Sequence, residues 1–144
     1  MTCIVVGLDG SASGERALDH GKSLARLIGE CELVLAFVIE WSPYSFHTPE
    51  ELAERHKRRE GEIDQASAYM LSGPAEAAKA DGFRVSAVVR HGDPATLIND
   101  IAVERGAAQI VIGRTGQRGL RERLFGGVPG KLVAAATVPV TIVP

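Results

Sequence analysis

Cysteine and aromatic residues are scarce in this chain. Of its 144 residues two are cysteines, and Phe, Trp and Tyr together make up 5%. Neither Cys3 nor Cys31 has a second cysteine or a histidine at the spacing of a metal site. This absence argues against a cysteine-based metal centre, and we interpret both thiols as small core residues near the starts of strands.

Long apolar runs and targeting signals are also missing. The chain passes from Met1 directly into the stretch CIVVGLDGS, without a basic leader segment or a small-residue cleavage site. No apolar run approaches about 20 residues, the length that a helix needs to cross a bilayer. We therefore expect a cytoplasmic protein that is not inserted in a membrane.

Charge of one sign is not in excess. Sixteen Lys and Arg stand against eighteen Asp and Glu, which gives a net charge of -2. Nucleic-acid-binding domains carry a basic patch or stripe, so we expect no nucleic-acid partner, although arginines cluster locally between Arg114 and Arg123. The length and the apolar share of 45% fit one ordinary domain over residues 1–144.

The glycine motifs of common nucleotide-using enzymes are absent. G-x-G-x-x-G does not follow the first apolar run, and G-x-S-x-G does not occur. A Walker loop, G-x-x-x-x-G-K-[ST], would need a glycine and a hydroxyl residue where the stretch RLFGGVPGKLV has Phe125 and Leu132. These absences exclude the usual hydride-transfer enzymes and a Walker-type phosphate site.

Short apolar runs alternate with amphipathic helical patterns along the whole chain. This alternation predicts an α/β fold with a doubly wound parallel sheet of five strands. The first helix is predicted to keep its apolar face as far as Ile28. Strands are predicted at residues 2–9, 31–40, 83–90 and 108–113 and from Val138 to Val143, and helices at residues 15–28, from 48 onward with a break at Gly73 and Pro74, at 93–106 and at 130–136.

In folds of this kind a ligand binds beyond the C-terminal ends of the strands, where the winding of the sheet reverses. Asp9 follows the first strand and Gly113 ends the fourth. We favour a ligand-binding role for Asp9 over the alternative, in which its carboxylate caps the following turn. A two-component receiver would need clustered acids after strand one and a lysine after strand five, which are missing. A flavodoxin-like phosphate loop in DGSASG stays a minor alternative.

The most informative pattern is a pair of glycine groups around a basic loop. Gly113 and Gly116 are followed, after nine residues, by Gly126 and Gly127. Backbone N–H groups between a strand and a helix N-terminus can approach a polyphosphate closely. The arrangement resembles the universal stress protein motif, which is Gly, two residues, Gly, nine residues, Gly, then Ser or Thr. The resemblance extends to VVGLDGS, FVIE, HGDPATLI and VPVTIV and so spans essentially the whole chain.

The resemblance implies a fold, a ligand and an assembly. The implied fold is a three-layer, Rossmann-like α/β/α structure of the adenine nucleotide alpha hydrolase-like type, with strand order 3-2-1-4-5. The implied ligand is ATP, ADP or AMP, with or without Mg²⁺, and the implied role is a regulatory or stress-response module with at most slow ATPase activity and an unidentified protein partner. The implied assembly is a homodimer through the last strand, which would also protect that edge.

The resemblance also assigns site residues. Asp9 and Val38 match positions along the adenosine, with Asp9 directed to the ribose or the adenine edge. Further residues match family positions along the ribose and phosphates, and others match the segment that holds the phosphate tail. The full predicted nucleotide site is Gly7, Leu8, Asp9, Val38, Ile112, Gly113, Arg114, Thr115, Gly116, Arg118, Gly126, Gly127, Val128 and Pro129.

Two residues depart from the family pattern. Gly127 stands where the motif has Ser or Thr, and Pro129 stands where a further hydroxyl residue is usual. A hydrogen bond to a charged group contributes about 1.5–3 kcal/mol, so we expect ATP to lose more affinity than AMP or ADP. Basic residues such as Arg118 and Lys131 are candidates to replace the hydroxyls by charge, and their alternative is a solvated loop face.

Three functional hypotheses follow. The first is nucleotide-dependent signalling. The second is a nucleotide-free homodimeric interaction protein of the same family, favoured by the missing hydroxyls. The third is an adenylating enzyme of the wider adenine-binding class, which ranks last because DGSASGE lacks the S-G-G-x-D-S pattern.

Overall fold

The structure is a computed structural model that describes residues 1–40, 54, 57, 61, 71–115 and 127–144. Helical structure outside the long elements is seen at residues 54, 57 and 61 and in a π-helical turn at Leu71–Ala75. The strands are β1 Thr2–Leu8, β2 Cys31–Glu40, β3 Arg84–Gly92, β4 Gln109–Gly113 and β5 Val140–Val143, and the helices are α1 Ala12–Ile28, α2 Glu76–Ala80, α3 Pro94–Glu104 and α4 Gly127–Ala135.

The five strands form one parallel sheet in the order β3-β2-β1-β4-β5. The predicted fold class and strand order are therefore confirmed. β1 lies in the middle, and its residues Ile4, Val5 and Val6 are fully buried, as expected of a parallel strand covered on both faces. β3 is an edge strand, as its alternating sequence indicated.

Each face of the sheet is covered by helices, which makes three layers. On one face the strands pack against α1 through Ala17, Leu18 and Ala25, and we call this cluster the α1-side core. On the other face they pack against α3 and α4, through Ile98, Ile101 and Leu132 among others, and we call this cluster the α3-side core. Successive residues of β1 alternate between the two cores, because side chains of a strand point to opposite faces.

The two cysteines belong to different sides of the sheet. Cys31 is buried in the α1-side core, and the half-buried Cys3 packs against the α3-side core. Burial raises the pKa of both thiols, and the nearby Glu32 carboxylate raises it further. Their interpretation as core residues near the starts of strands is confirmed, and neither thiol is activated as a nucleophile.

The first helix begins three residues before the predicted position. Ser11 is its N-cap, because the Ser11 hydroxyl accepts a hydrogen bond from the Gly14 N–H at 3.1 Å. The expectation that Ile28 closes the apolar face was wrong, since Ile28 is 42% exposed at the last residue of the helix. Gly29 ends the helix with φ at 91°, a conformation that favours glycine.

Other local signals in the sequence were accurate. The helical path changes at Gly73, whose φ and ψ are not helical, next to Pro74. Asp93 caps α3 by accepting a hydrogen bond from the Thr96 N–H at 3.0 Å. Pro94 is the first residue of this helix. Apart from residues 54, 57 and 61, which are helical, the helix predicted from residue 48 falls outside the described residues up to residue 70.

The last two elements differ from their predicted bounds. α4 begins at Gly127, not at residue 130. β5 begins at Val140 and not at Val138, because Pro139 has no N–H to donate to a ladder, although its carbonyl accepts from the Ile110 N–H. Among the described helices, none combines the length and the apolar character needed to cross a membrane.

Candidate functional site

The winding of the sheet reverses between β1 and β4. β1 pairs with β2 on one side and with β4 on the other, so the chain returns across the sheet before it enters β4. Both strands are parallel, and their C-terminal ends therefore lie at the same edge. Asp9 follows β1 directly and Gly113 is the last residue of β4, so the fold brings the two predicted strand ends together.

Asp9 holds the turn that leads from β1 into α1. Its Oδ1 atom accepts a hydrogen bond from the Ser11 N–H at 2.9 Å and another from the Ser11 hydroxyl. The capping contact weighed as an alternative is thus present. Among the described residues both hydrogen bonds end on Oδ1, which leaves Oδ2 able to accept from a further donor.

The first turn of α1 lies directly against the end of β4. A Cβ atom placed on Gly113 would lie 2.6 Å from the carbonyl carbon of Ser13 and 2.7 Å from its oxygen. Any larger residue would have to displace the backbone of the helix. The glycine at this position therefore has a packing cause, independent of any ligand.

Ser13 connects this helix to the segment after β4. It is 1% exposed, and in the part of the chain that the structure describes it is the one buried polar side chain. Its hydroxyl accepts from the Thr115 N–H and donates to the Val143 carbonyl, each at 3.3 Å. Sequence reasoning missed Ser13, because the first helix was predicted to begin only at residue 15 and the partners of Ser13 lie 102 and 130 residues away along the chain.

Several predicted site residues have their side chains in the core. Leu8 is 8% exposed in the α1-side core, and Ile112 is 4% exposed in the α3-side core. A Cβ atom on Gly7 would lie 2.9 Å from Ile112 Cγ2, so Gly7 makes room for that side chain. Val38 is half-buried and packs against the α3-side core. Leu8 and Ile112 can therefore offer mainly backbone groups to a ligand.

The segment with the missing hydroxyls forms the first turn of α4. Gly127 has φ at 37°, in the left-handed region that favours glycine, which gives a structural reason against serine at this position. Val128 packs against the α3-side core. Pro129 is the third residue of the helix, where it fits because the first N–H groups of a helix have no partner within it.

The basic residues near this edge have different surroundings. Arg114 is exposed, and its backbone N–H donates to the Val143 carbonyl at 2.6 Å. Lys131 Nζ lies 3.8 Å from Asp93 Oδ1, so in this structure it faces the cap of α3. Hydrogen bonds from Thr96 lower the pKa of Asp93, and the Lys131 charge lowers it further. Gly116, Arg118 and Gly126 lie outside the described residues.

Metal ligands do not cluster in the part of the chain that the structure describes. In residues 1–40, 71–115 and 127–144, together with the three isolated helical positions, no group of three or more His, Cys, Asp and Glu side chains is placed to hold a metal ion. The polar groups that meet at the described edge are instead a carboxylate, hydroxyls and backbone N–H groups. Such groups suit a ligand rich in hydroxyls, amines and phosphate oxygens.

The comparison with family models assigns the chain. The model described as the universal stress protein family matches residues 1–144. The chain belongs to the universal stress protein family. This universal stress protein is 29% identical to universal stress protein YxiE of Bacillus subtilis over 147 aligned positions, which cover 97% of each protein. The family assignment excludes the two alternatives considered from the sequence, a two-component receiver and a flavodoxin-like protein.

Solved structures of other universal stress proteins share the fold. UspA of Lactobacillus plantarum aligns with a TM-score of 0.82 at 21% identity, over 99% of this chain and 97% of that one. A universal stress protein in complex with cAMP aligns with a TM-score of 0.70 at 25% identity, over 99% and 97% of the two chains. More distant members were solved with dAMP, from Archaeoglobus fulgidus, and with AMP, from Arabidopsis thaliana. At 23% and 19% identity these two speak for the fold alone.

Proposed function

We propose that this universal stress protein binds an adenine nucleotide across the ends of β1 and β4, and that it acts as a cytoplasmic regulatory module through a protein partner. The observation that carries the proposal is the meeting of Asp9, the first turn of α1 and Gly113 at the edge where the winding reverses. Ligands of open α/β sheets bind at this place. The family neighbour that holds cAMP supports the choice of nucleotide.

Asp9 supplies the directional contact in this proposal. Its Oδ1 is engaged by Ser11, while Oδ2 is available to accept from a ribose hydroxyl or from the adenine amino group. Thr115 and the backbone of Gly113 then follow the ribose toward the phosphates. A carboxylate acceptor forms charge-assisted hydrogen bonds, which are stronger than neutral ones.

The first turn of α4 favours a short phosphate tail. Of its first three residues, Gly127 and Val128 have N–H groups to offer and Pro129 has none. Lys131 is drawn toward Asp93. We therefore propose that AMP and ADP bind more tightly than ATP, that Mg²⁺ matters only with ATP, and that ATP hydrolysis is at most slow.

The decisive test combines nucleotide identification with titration calorimetry. Mass spectrometry of material released from the purified protein identifies a bound nucleotide, and stripped protein is then titrated with AMP, ADP, ATP and cAMP. Asp9→Asn keeps an Oδ1 acceptor for the Ser11 turn and replaces Oδ2 by an amide donor. We expect it to weaken binding at least about tenfold, because a hydrogen bond to a charged acceptor contributes about 1.5–3 kcal/mol.

Asp19→Asn is the matched control for this titration, since it makes the same chemical change at an exposed aspartate on the helix α1 that follows the Asp9 turn. It should bind like the unmodified chain. If Asp9→Asn binds equally well, Asp9 only holds the turn and its assignment to the nucleotide is wrong. If no adenine nucleotide binds at millimolar concentration, the proposed function is wrong.

A nucleotide-free homodimeric interaction protein is the second candidate. The left-handed φ of Gly127 favours it, because that backbone does not readily accept the serine that the family uses. The proposed dimer pairs β5 of two chains. β5 is an edge strand and its Ile142 is 36% exposed, so pairing would satisfy free backbone groups and cover an apolar side chain.

A further inference from the structure

Ser13 occupies a position that no ligand contact explains. It lies in the first turn of α1 and is 1% exposed, so its hydroxyl has to find its hydrogen-bond partners within the protein. Buried hydroxyls are normally hydrogen-bonded, and this one is bonded to two separate parts of the chain. Those two parts are the segment after β4 and the end of β5.

The contacts of Ser13 fix the start of the loop that follows β4. The hydroxyl accepts from the Thr115 N–H at 3.3 Å and donates to the Val143 carbonyl at 3.3 Å. The same carbonyl accepts from the Arg114 N–H at 2.6 Å. Residues 113–115 are thus held between the first turn of α1 and the last residue of β5.

The close approach at Gly113 makes this arrangement specific. The end of β4 can reach the Ser13 backbone only because Gly113 has no side chain. The Ser11 hydroxyl lies 3.3 Å from the Thr115 carbonyl, so both backbone groups of Thr115 face the first turn of α1. Ser13 thus holds the Thr115 N–H, while the Ser11 hydroxyl, whose single proton is directed to Asp9, only lies beside the Thr115 carbonyl.

We infer that Ser13 is a positioning residue for the nucleotide site, which sets the Thr115 backbone where the loop after β4 begins. This inference rests on the proposed function. Ser13 itself is too buried to touch a nucleotide, and it acts through Thr115. The ligand then meets a Thr115 backbone that is already fixed, and binding costs less conformational entropy than it would if this backbone had to be ordered first.

The test compares Ser13→Ala with Ser23→Ala. Ser23 lies on α1, is exposed, and donates to the Asp19 carbonyl of its own helix. We expect Ser13→Ala to bind AMP about tenfold more weakly and Ser23→Ala to bind it unchanged. Amide hydrogen exchange at Thr115, measured by NMR without nucleotide, should be faster in Ser13→Ala only, because its N–H has lost its acceptor.

Ser13→Cys provides a second variant if the alanine variant does not fold. It fills the site with a side chain of similar shape whose thiol is a weak donor and acceptor, so weaker binding and faster Thr115 exchange are again expected. If the unmodified chain binds AMP and the Ser13 variants bind it equally well, the inference is wrong and the proposed function stands. If no nucleotide binds to any form, the proposed function is wrong, and unchanged Thr115 exchange would show separately that Ser13 does not anchor the loop.

Discussion

At the scale of single residues, Gly113 decides whether β4 can end against α1. The motif assigns this glycine to a nucleotide loop, and the structure adds a packing requirement. A methyl group here would meet the carbonyl carbon and oxygen of Ser13, both of which belong to the backbone and cannot rotate away. The same glycine thus serves the fold as well as the proposed site.

We therefore predict that Gly113→Ala destabilises the native state. Forcing a methyl group into a filled space typically costs about 1–3 kcal/mol, and urea unfolding at equilibrium measures the loss. Gly130→Ala is the control, because a Cβ at Gly130 meets nothing within 4 Å and alanine is the better helix former. Equal stability of both variants would contradict the close approach of β4 to α1.

Asp9 shows how two roles can share one carboxylate. A strand-end aspartate can hold the next turn or bind a ligand, and the sequence alone does not choose between them. In the structure one oxygen atom holds the turn through Ser11. In the proposed function the other oxygen, Oδ2, accepts a hydrogen bond from the nucleotide. The Asp9→Asn variant separates the two roles.

At the scale of elements, α3 depends on its N-cap. Asp93 accepts from the Thr96 N–H at 3.0 Å and from the Thr96 hydroxyl at 2.7 Å, and Lys131 of α4 lies nearby. These groups lower the Asp93 pKa below its ordinary value of 3.8. A carboxyl whose native pKa is lowered adds stability above its unfolded pKa and loses that contribution as the pH falls through the native pKa.

We predict that Asp93→Ala lowers the free energy of unfolding by about 1 kcal/mol at pH 7, the usual cost of losing such a cap. The difference from the unmodified chain should shrink as the pH falls from 3.8 through the lower native pKa, where Asp93 of the folded protein becomes protonated. The half-exposed carboxylate is screened by solvent, so a larger effect is not expected. Urea unfolding at several pH values measures both quantities.

Asp100→Ala is the control for the cap, because Asp100 is exposed on the same helix. Its effect should be small at every pH. A loss of stability in Asp93→Ala that stays constant between neutral and acid pH would mean that the ionised cap is not the cause.

At the scale of the whole molecule, the two edges of the sheet differ. At the β3 edge, the Arg90 guanidinium forms an ion pair with the Glu104 carboxylate of α3. The Ser86 hydroxyl donates a hydrogen bond to the Glu32 carboxylate of β2, so charged and polar groups flank this strand. Charged side chains at an edge discourage pairing with another chain. The β5 strand, Val140–Val143, has a polar contact from Thr141 to Gln109 but no charged residue, and it exposes the apolar Ile142.

We predict that the protein self-associates through β5 and that Ile142→Lys shifts it toward monomers, because the substitution places a charge in the proposed contact. Analytical ultracentrifugation over a range of concentrations measures the equilibrium. Val133→Lys on α4 is the control, since Val133 is 67% exposed and lies on a helix outside β5. A monomeric unmodified chain, or an Ile142→Lys variant that remains dimeric, would argue against the β5 interface.

The predictable part of the fold depended on local signals. β2 was predicted with its observed bounds, because an apolar run between a helix-ending glycine and the proline-containing stretch WSP is a local pattern. The start of α3 next to Asp93, the end of α1 at Ile28 and the break at Gly73 followed in the same way. The predicted starts of α1, α4 and β5 were each two or three residues away from the observed ones.

The five-stranded α/β fold and the glycine spacing of the universal stress proteins can be read from the amino-acid sequence, because strand patterns, caps and spacing involve residues close together in the chain. The burial of Ser13, the approach of Gly113 to the backbone of α1 and the contact of Lys131 with Asp93 become visible only in the folded molecule. Those contacts join residues up to 130 positions apart. They exist because the sheet order places β1, β4 and β5 side by side, and no local pattern encodes that proximity.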